Sequence, residues 1–167
     1  ECDIYSLLPA PDFSTGAELI YDREQIRQIY ETGRGSFKLR SVYTVTGNTI
    51  EVTQIPYSTT VDAIVNRIVK LCKEGKIKEI ADVRDETDIN GLKLAIDTKR
   101  GVDPHKLMTR LFKLTTLEDD FSCNFNVLIA KRPVVLGVGE LLEEWTAFRV
   151  ECVRRRVHFE LTKRKER

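Results

Sequence analysis

Between residues 49 and 130 the spacing of apolar residues changes repeatedly, and this alternation constrains the fold more than any other feature. Apolar residues alternate with polar ones from Ile50 to Val52, recur on one helical face over 61–72, and alternate again over 92–96 and 121–130; a short strand is also predicted around 79–83. A period of two is typical of a half-buried strand, and a period near 3.6 is typical of an amphipathic helix. With a second helix predicted after Asp103-Pro104, the segment has the order β-α-β-β-α-β.

This order predicts an α+β fold built on a ferredoxin-like βαββαβ-type sheet. Residues 36–46 also alternate, and Gly47-Asn48 separates them from the next strand as a two-residue hairpin signal. They therefore predict one added hairpin strand. A helix is predicted over 23–32, ending at Gly33. Lys131-Arg132-Pro133 predicts a turn before a last short strand at 134–136.

A long C-terminal helix is predicted from Glu140 onward. Its apolar residues recur at spacings of three, four or seven and form one narrow seam, which is typical of a coiled-coil arm. We therefore expect three parts: an irregular lead-in over 1–20, an α/β domain over 21–137, and the start of a coiled-coil arm over 138–167. A first residue other than methionine indicates an excised piece. The seam consists of Leu141, Trp145, Phe148, Cys152 and Phe159.

The charge of the chain is unevenly distributed. The formal net charge is +1, yet eight Lys/Arg and three Glu fall between Arg149 and Arg167, so that segment carries +5 and the remainder −4. Such asymmetry favours a polyanion as partner.

Composition excludes several classes of protein. No apolar run reaches about 18 residues and no secretory signal pattern opens the chain, so we expect no membrane partner and a cytoplasmic location. The four cysteines, at positions 2, 72, 123 and 152, form no C-x-x-C pair, so we expect buried free thiols and no zinc. The acidic run from Asp82 to Asp88 lacks the alternation of a calcium loop, so we predict a turn beside Arg84 and no metal.

Short segments along the whole chain share the residues, order and spacing of one known family. They are Pro11-Asp12-Phe13 with Thr15-Gly16, Tyr30-Glu31-Thr32-Gly33-Arg34-Gly35, Ile55-Pro56-Tyr57, Asp82-Val83-Arg84-Asp85-Glu86-Thr87-Asp88 with Gly91, Lys99-Arg100, Leu111-Phe112-Lys113-Leu114-Thr115, Phe121 with Asn124, and Arg154-Arg155-Arg156 with Phe159-Glu160-Leu161. In these segments the chain resembles the A subunit of bacterial type IIA DNA topoisomerases, which are DNA gyrase and topoisomerase IV. Gln54, where the family often has an acid, and Ser122-Cys123 depart from its pattern.

The resemblance implies a role and a set of partners. It implies that the chain is the tower, an α/β region beside the winged-helix domain that supports the arms of a cleaved duplex, followed by the start of the coiled coil. The parent would be an ATP-dependent isomerase that passes one DNA duplex through a double-strand break in another. Its implied partners are double-stranded DNA and, in a heterotetramer, a second A subunit together with the topoisomerase B subunit.

The resemblance also implies where the chemistry lies. The parent would use ATP and Mg²⁺ through its B subunit, so we expect no cofactor in this chain. The family's nucleophilic tyrosine directly follows an arginine, and no Arg-Tyr dipeptide occurs here. None of the five tyrosines has a basic partner placed by sequence, and His105 and His158 lack a second histidine nearby. We therefore expect no catalytic residue and no activity of the chain alone.

Five basic residues are the candidate DNA-binding residues. Arg34 lies in a Gly-x-Gly segment whose backbone N–H groups could face a phosphate, and Lys38 and Arg40 continue on the polar face of the strand. Lys131 and Arg132 lie at the predicted turn. The alternatives are a helix stop followed by a solvated strand face, and an ordinary polar turn. The tail arginines are interpreted as a solvated helix surface.

Two other functions compete with DNA support. In the first, the terminal seam makes the chain a protein-interaction or dimerisation module without direct DNA contact. In the second, the chain is an RNA-binding ferredoxin-like domain, although the expected signature K/R-G-F/Y-G/A-F-V-x-F/Y does not occur.

Overall fold

The computed structural model describes residues 3–166, and the chain divides into two compact units. The arm unit comprises Glu1–Pro9, Arg23–Gly35 and Cys123–Arg167, and the sheet unit comprises Ala10–Asp22 and Ser36–Ser122. Glu1, Cys2 and Arg167 lie outside the described residues. The three-part division predicted from sequence stays a prediction.

Fourteen elements follow one another within the described residues. They are α1 (Ile4–Leu7), β1 (Glu18–Ile20), α2 (Arg23–Thr32), β2 (Arg34–Arg40), β3 (Val42–Thr46), β4 (Thr49–Gln54), α3 (Val61–Lys73), β5 (Ile80–Asp85), β6 (Leu94–Thr98), α4 (Pro104–Leu114), β7 (Glu118–Asn124), β8 (Asn126–Ile129), β9 (Arg132–Val135) and α5 (Val138–Lys165).

An antiparallel four-stranded sheet in the order β3-β4-β6-β5 forms the centre of the sheet unit. Alternate residues of its strands point to one side, where they pack against the apolar faces of α3 and α4. The apolar face of α3 includes Leu71, which is buried, whereas Val69 lies off this face and is 39% exposed. The core includes Ile50, Val52, Ile64, Ile68, Leu71, Leu94, Ile96, Leu107, Met108 and Leu111.

The α+β class and the long C-terminal helix are confirmed, but the order of the sheet differs from the predicted one. In a ferredoxin-like sheet the last strand of the βαββαβ unit lies beside the first. Here β3 lies beside β4, and β7 joins a second sheet in the order β1-β2-β7. The two-residue hairpin at Gly47-Asn48 places β3 beside β4. β3 therefore occupies the position beside β4 that the last strand, β7, would have in a ferredoxin-like sheet.

Two segments predicted as single strands are each two strands. The segment 36–46 breaks at Ser41, which is buried and whose N–H donates to the carbonyl of Leu117 at 2.8 Å. The segment 121–130 breaks at Phe125, whose N–H donates to Gly33 O at 2.8 Å and whose carbonyl accepts from Leu136 N–H at 3.3 Å. In both cases a tertiary hydrogen bond replaces continued pairing in one sheet.

The helix signals in the sequence lie close to the observed caps. Asp103 caps α4, since its Oδ1 accepts from the N–H groups of His105 and Lys106, and Pro104 is the first helical residue. The N-cap of α3 is Thr60, whose Oγ1 accepts from Ala63 N–H. The predicted lead-in over 1–20 contains the short elements α1 and β1.

The start of α5 fits tightly against α2 within the arm unit. The N–H of Gly137 donates to the carboxylate of Glu140 at 3.2 Å, which caps the helix. A Cβ at position 137 would lie 2.5 Å from the carbonyl oxygen of Tyr30 and still closer to that of Glu31. Only glycine fits this approach.

Most of α5 is exposed. No residue of the helix is buried, and Trp145, Phe148 and Phe159 of the predicted seam are 61%, 62% and 67% exposed. A second apolar row, at spacings of three, four or eight, was not recognised from the sequence: Leu142, Val150, Val153, Val157 and Leu161. None of the helices between residues 3 and 166 combines the length and apolarity needed to cross a membrane.

Candidate nucleic-acid interface

Lys38 and Arg40 lie on the polar face of β2, as predicted. Phe37 and Leu39 between them are buried, because alternate residues of a strand point to opposite faces. The side chains of Lys38 and Arg40 are 48% and 41% exposed. Both cations can therefore be reached from solvent.

One acid on β7 compensates both cations. Two guanidinium nitrogens of Arg40, Nη2 and Nε, lie 2.6 and 2.7 Å from Glu118 Oε2. The ammonium of Lys38 lies 4.0 Å from Oε1 of the same carboxylate. Arg40 also lies over the ring of Phe112, with 5.0 Å between the guanidinium carbon and the ring centroid. Arg40 is thus held in place by protein groups, and Lys38 is the freer of the two.

Arg34 lies in the arm unit, after the glycine that ends α2. Gly33 has φ +70°, as expected for a helix stop, and its N–H donates to Ile29 O at 2.8 Å. The N–H of Arg34 lies 3.3 Å from Thr32 Oγ1. Two N–H groups of the Gly-x-Gly segment are therefore already used by the protein. The exposed guanidinium of Arg34 makes no ion pair with any residue in the described part of the chain.

Lys131 lies at the tip of the β8–β9 hairpin, whose two loop residues are Ala130 and Lys131 with φ of +48° and +67°. Positive φ at both positions is the geometry of a type I′ hairpin turn. Arg132 is the first residue of β9 and pairs with Ile129. The predicted turn thus begins one residue earlier than expected, and both basic side chains are exposed.

The acidic run around Arg84 is only partly the predicted turn, because Asp82 and Asp85 lie in β5 and the turn follows at Ile89-Asn90. Arg84 Nη1 lies 3.0 Å from Asp82 Oδ2 and 2.5 Å from Asp97 Oδ2, and its Nε lies 3.2 Å from Glu86 Oε1. These contacts hold the pKa of Asp97 below its usual value, chiefly through the hydrogen bond from Arg84. Asp88 Oδ1 accepts from the N–H of Asn90 at 2.8 Å, which closes the turn. The carboxylates are thus used within the sheet unit.

Three family-like segments meet in an aromatic cluster in the sheet unit. Phe13 lies 4.9 Å from Phe121 in an edge-to-face arrangement, and Tyr57 lies 6.0 and 5.9 Å from their respective ring centroids. Ser58 Oγ beside this cluster donates to Asp119 Oδ2 at 2.6 Å. The Pro-Asp-Phe and Ile-Pro-Tyr motifs therefore have a structural function in this chain.

One contact was missed in the sequence. Tyr43 Oη lies 3.0 Å from Nδ1 of His105, although the two residues are far apart in the chain. The ring of Tyr43 also packs on Phe112 beside a cleft of about 410 Å³. Because Glu18 and Glu118 line this cleft together with Arg40 and Lys113, its formal charge is balanced and does not favour a phosphate.

The three cysteines in the described part of the chain, Cys72, Cys123 and Cys152, are free. Burial raises the pKa of the Cys72 and Cys123 thiols, so the nucleophilic thiolate is disfavoured. Both are half-buried, as is Cys152.

Comparison with known proteins identifies relatives along the whole chain. The family model for the A subunit of DNA gyrase/topoisomerase IV matches residues 1–167. The DNA gyrase A subunit of Borrelia hermsii is 36% identical over 99% of this chain and 21% of its own length. The DNA gyrase A subunit of Synechocystis is 35% identical over 100% of the chain and 20% of its own length. The DNA topoisomerase 4 A subunit of Synechocystis is 31% identical over 99% of the chain and 19% of its own length.

The chain therefore spans about a fifth of the length of the curated relatives that it matches. The family model covers the whole chain and therefore includes the segments that carried the resemblance. This chain belongs to the family of DNA gyrase and topoisomerase IV A subunits.

Proposed function

We propose that this chain is the DNA-supporting tower of a type II topoisomerase A subunit, followed by the start of its coiled-coil arm. The parent would be an ATP-dependent isomerase that breaks, passes and rejoins double-stranded DNA in the cytoplasm. It would work as a heterotetramer of two A and two B subunits, and the B subunit would supply ATP and Mg²⁺. In this proposal the chain itself carries no catalytic residue.

The proposal rests on the observation that residues of the family-like motifs pack, form ion pairs or end a helix within this chain. Phe13, Tyr57 and Phe121 pack together, Arg84 binds acids within the sheet unit, and Gly33 ends a helix. These are structural tasks, which suit a rigid support better than a catalytic centre. Sequence-independent contact with phosphates would then supply the affinity for DNA.

The ion-pair partners of the five candidate residues indicate which of them are most available to bind phosphate. Arg34, Lys131 and Arg132 have exposed side chains in the arm unit. In the sheet unit Lys38 is only loosely compensated by Glu118, whereas Arg40 is tightly bound by it. We therefore propose Lys38 as the main contact of β2 and Arg40 as a secondary one.

Duplex binding by the 167-residue chain tests the proposal. We expect weak, sequence-independent binding that falls steeply with salt, measured by anisotropy of a labelled duplex. In a full-length A subunit, Lys38→Glu with Arg40→Glu should reduce supercoiling or relaxation. Lack of duplex affinity at low salt, together with full activity of that variant, would contradict the proposal.

A second candidate function, protein interaction through α5, is favoured by one observation. An open apolar groove of about 600 Å³ lies between the β8–β9 hairpin and α5, lined in part by Leu128, Leu141, Trp145 and Phe148. Leu128 is 74% exposed. Exposed apolar area of this kind marks an interaction surface.

Light scattering of the chain separates the two functions. A stable dimer that dissociates when Trp145 and Phe148 are changed to Gln would favour the interaction module. A monomer that binds duplex DNA would favour the tower.

A further inference from the structure

Lys99-Arg100 is a family-like segment for which the fold described above provides no structural task. The two residues follow β6 in a turn, where Lys99 N–H donates to Glu79 O at 2.9 Å and Val102 N–H donates to Lys99 O at 3.3 Å. The backbone of the turn is therefore fixed. Both side chains are exposed, and neither makes an ion pair with a residue between positions 3 and 166.

Two further segments meet this turn at the same end of the sheet unit. Arg110 of α4 forms an ion pair with Glu79, and its Nη2 donates to the carbonyl of Lys76 at 2.7 Å. The residues after α3 are thereby joined to α4 and to the 99–102 turn. We call this region the basic end; its exposed cations are Lys73, Lys76, Lys78, Lys99, Arg100, Lys106 and Arg110.

Acidic residues compensate only part of the charge at the basic end. Lys76 lies 2.8 Å from Glu74, Lys106 lies 3.9 Å from Asp103, and Arg110 pairs with Glu79. Lys73 lies in the last turn of α3, where its positive charge interacts favourably with the helix dipole. Lys78, Lys99 and Arg100 have neither an ion-pair partner among the described residues nor a helix end to stabilise.

The polar face of the four-stranded sheet has the opposite balance. There Arg84 and Lys93 are surrounded by Glu51, Asp82, Glu86 and Asp97, with the ammonium of Lys93 lying 3.1 Å from Glu51 and 3.3 Å from Glu86. Acids outnumber bases on that face, whereas bases outnumber acids at the basic end. A polyanion would therefore be repelled by the sheet face and attracted to the basic end.

We propose that the basic end, through Lys78, Lys99 and Arg100, contacts the phosphate backbone of duplex DNA. This site is distinct from the five residues considered above. The choice of DNA as the polyanion rests on the proposed function. Ammonium and guanidinium groups on exposed side chains meet phosphate oxygens without reading base edges, so the contact fixes position and not sequence.

Salt-dependent duplex binding by the 167-residue chain tests this contact. The test variant is Lys99→Glu with Arg100→Glu, and the control is Lys163→Glu with Arg164→Glu, which makes the same charge change on α5. We expect the test variant to lower affinity at low salt on the order of tenfold or more and to reduce the slope of log K against log salt by about 1.8. The control should change both quantities much less.

Two outcomes would overturn the contact in different ways. Equal weakening by the test and control variants would show a net-charge effect and reject the basic end alone. Absence of duplex binding by the unaltered chain at low salt would reject the proposed function together with it. If charge reversal unfolds the chain, as checked by circular dichroism, Lys99→Gln with Arg100→Gln distinguishes the same two outcomes.

Discussion

The side-chain oxygen of Gln54 accepts a hydrogen bond from the backbone N–H of Ala17 at 2.8 Å, and Ala17 has a left-handed backbone conformation with φ +79°. This bond ties the segment before β1 to the end of β4. A carboxylate oxygen can accept the same bond, so glutamate at this position would keep the connection that Gln54 makes.

The first prediction concerns this bond. Gln54→Ala should lower the free energy of unfolding by about 1 kcal/mol, because it removes a hydrogen bond to a backbone N–H. Gln54→Glu should retain most of the stability above the carboxyl pKa. Urea denaturation near neutral pH measures both variants. Equal losses in the two variants would contradict the role of the acceptor oxygen.

A second prediction concerns the compensation of Arg40 by Glu118. Glu118→Gln should leave Arg40 and Lys38 without their acid and tighten duplex binding severalfold, with a salt slope steeper by up to about 1.8 for two phosphate contacts. Arg40→Gln should weaken binding less than Lys38→Gln, since Arg40 is already neutralised. Anisotropy titrations at several salt concentrations would give the slopes. Weaker binding by Glu118→Gln would refute this account.

A third prediction concerns the hairpin tip. Ala130 and Lys131 have positive φ, which L-residues other than Asn and Asp adopt at a penalty. Ala130→Asn with Lys131→Gly should therefore raise the free energy of unfolding by about 1 kcal/mol. Lys131→Ala removes the same charge but keeps the Cβ, so it should bring no such gain. Thermal and urea unfolding would show whether the two differ.

A fourth prediction concerns pH. Hydrogen bonding to Lys93 and Arg84 lowers the pKa of Glu86, and hydrogen bonding to Arg84 lowers that of Asp97. Because the folded pKa is depressed, this stability is present above the unfolded values of about 4.3 for Glu and 3.9 for Asp and is lost as pH falls through the folded pKa.

Arg84→Gln should therefore destabilise the chain at neutral pH and lose less stability on acidification. Urea denaturation at a series of pH values tests this, with Arg100→Gln as the control. Parallel pH curves for Arg84→Gln and the unaltered chain would show that Arg84 does not cause the acid sensitivity.

A fifth prediction concerns the aromatic cluster. Phe13→Leu and Phe121→Leu should each destabilise the chain, and the double variant should lose less than the sum of the two. The coupling free energy expected for an edge-to-face pair is about 0.5–1.5 kcal/mol. Additive losses would mean that the two rings act independently.

The sequence predicted where helices and strands begin and end better than it predicted which strands lie side by side. Periodicity and caps located α2, α3 and α4 to within a few residues, because these signals are local. The placement of β3 beside β4 and of β7 in another sheet depends on competition among strands, which no local pattern reveals. The breaks at Ser41 and Phe125 have the same origin, since each is made by a hydrogen bond to a residue distant in sequence.

The sequence predicted which candidate residues carry a positive charge, but it did not predict which acidic residues neutralise them. Lys38 and Arg40 have the expected alternation, yet Glu118 lies 78 residues away from Arg40 in the chain and binds it. Conversely, Lys99-Arg100 was noticed only as a family motif, because the fold is needed to bring residues 73–79 and α4 beside it.

The close fit at Gly137 has a mechanical consequence. The 28 residues of α5 extend for about 42 Å at 1.5 Å per residue, and the helix is held near its first turn. A rotation of the helix at its first turn displaces its far end more than its beginning, so relief of the clash that a Cβ at position 137 would make with the carbonyl oxygens of Tyr30 and Glu31 would redirect the whole helix. Gly137 therefore fixes the direction in which α5 extends from α2.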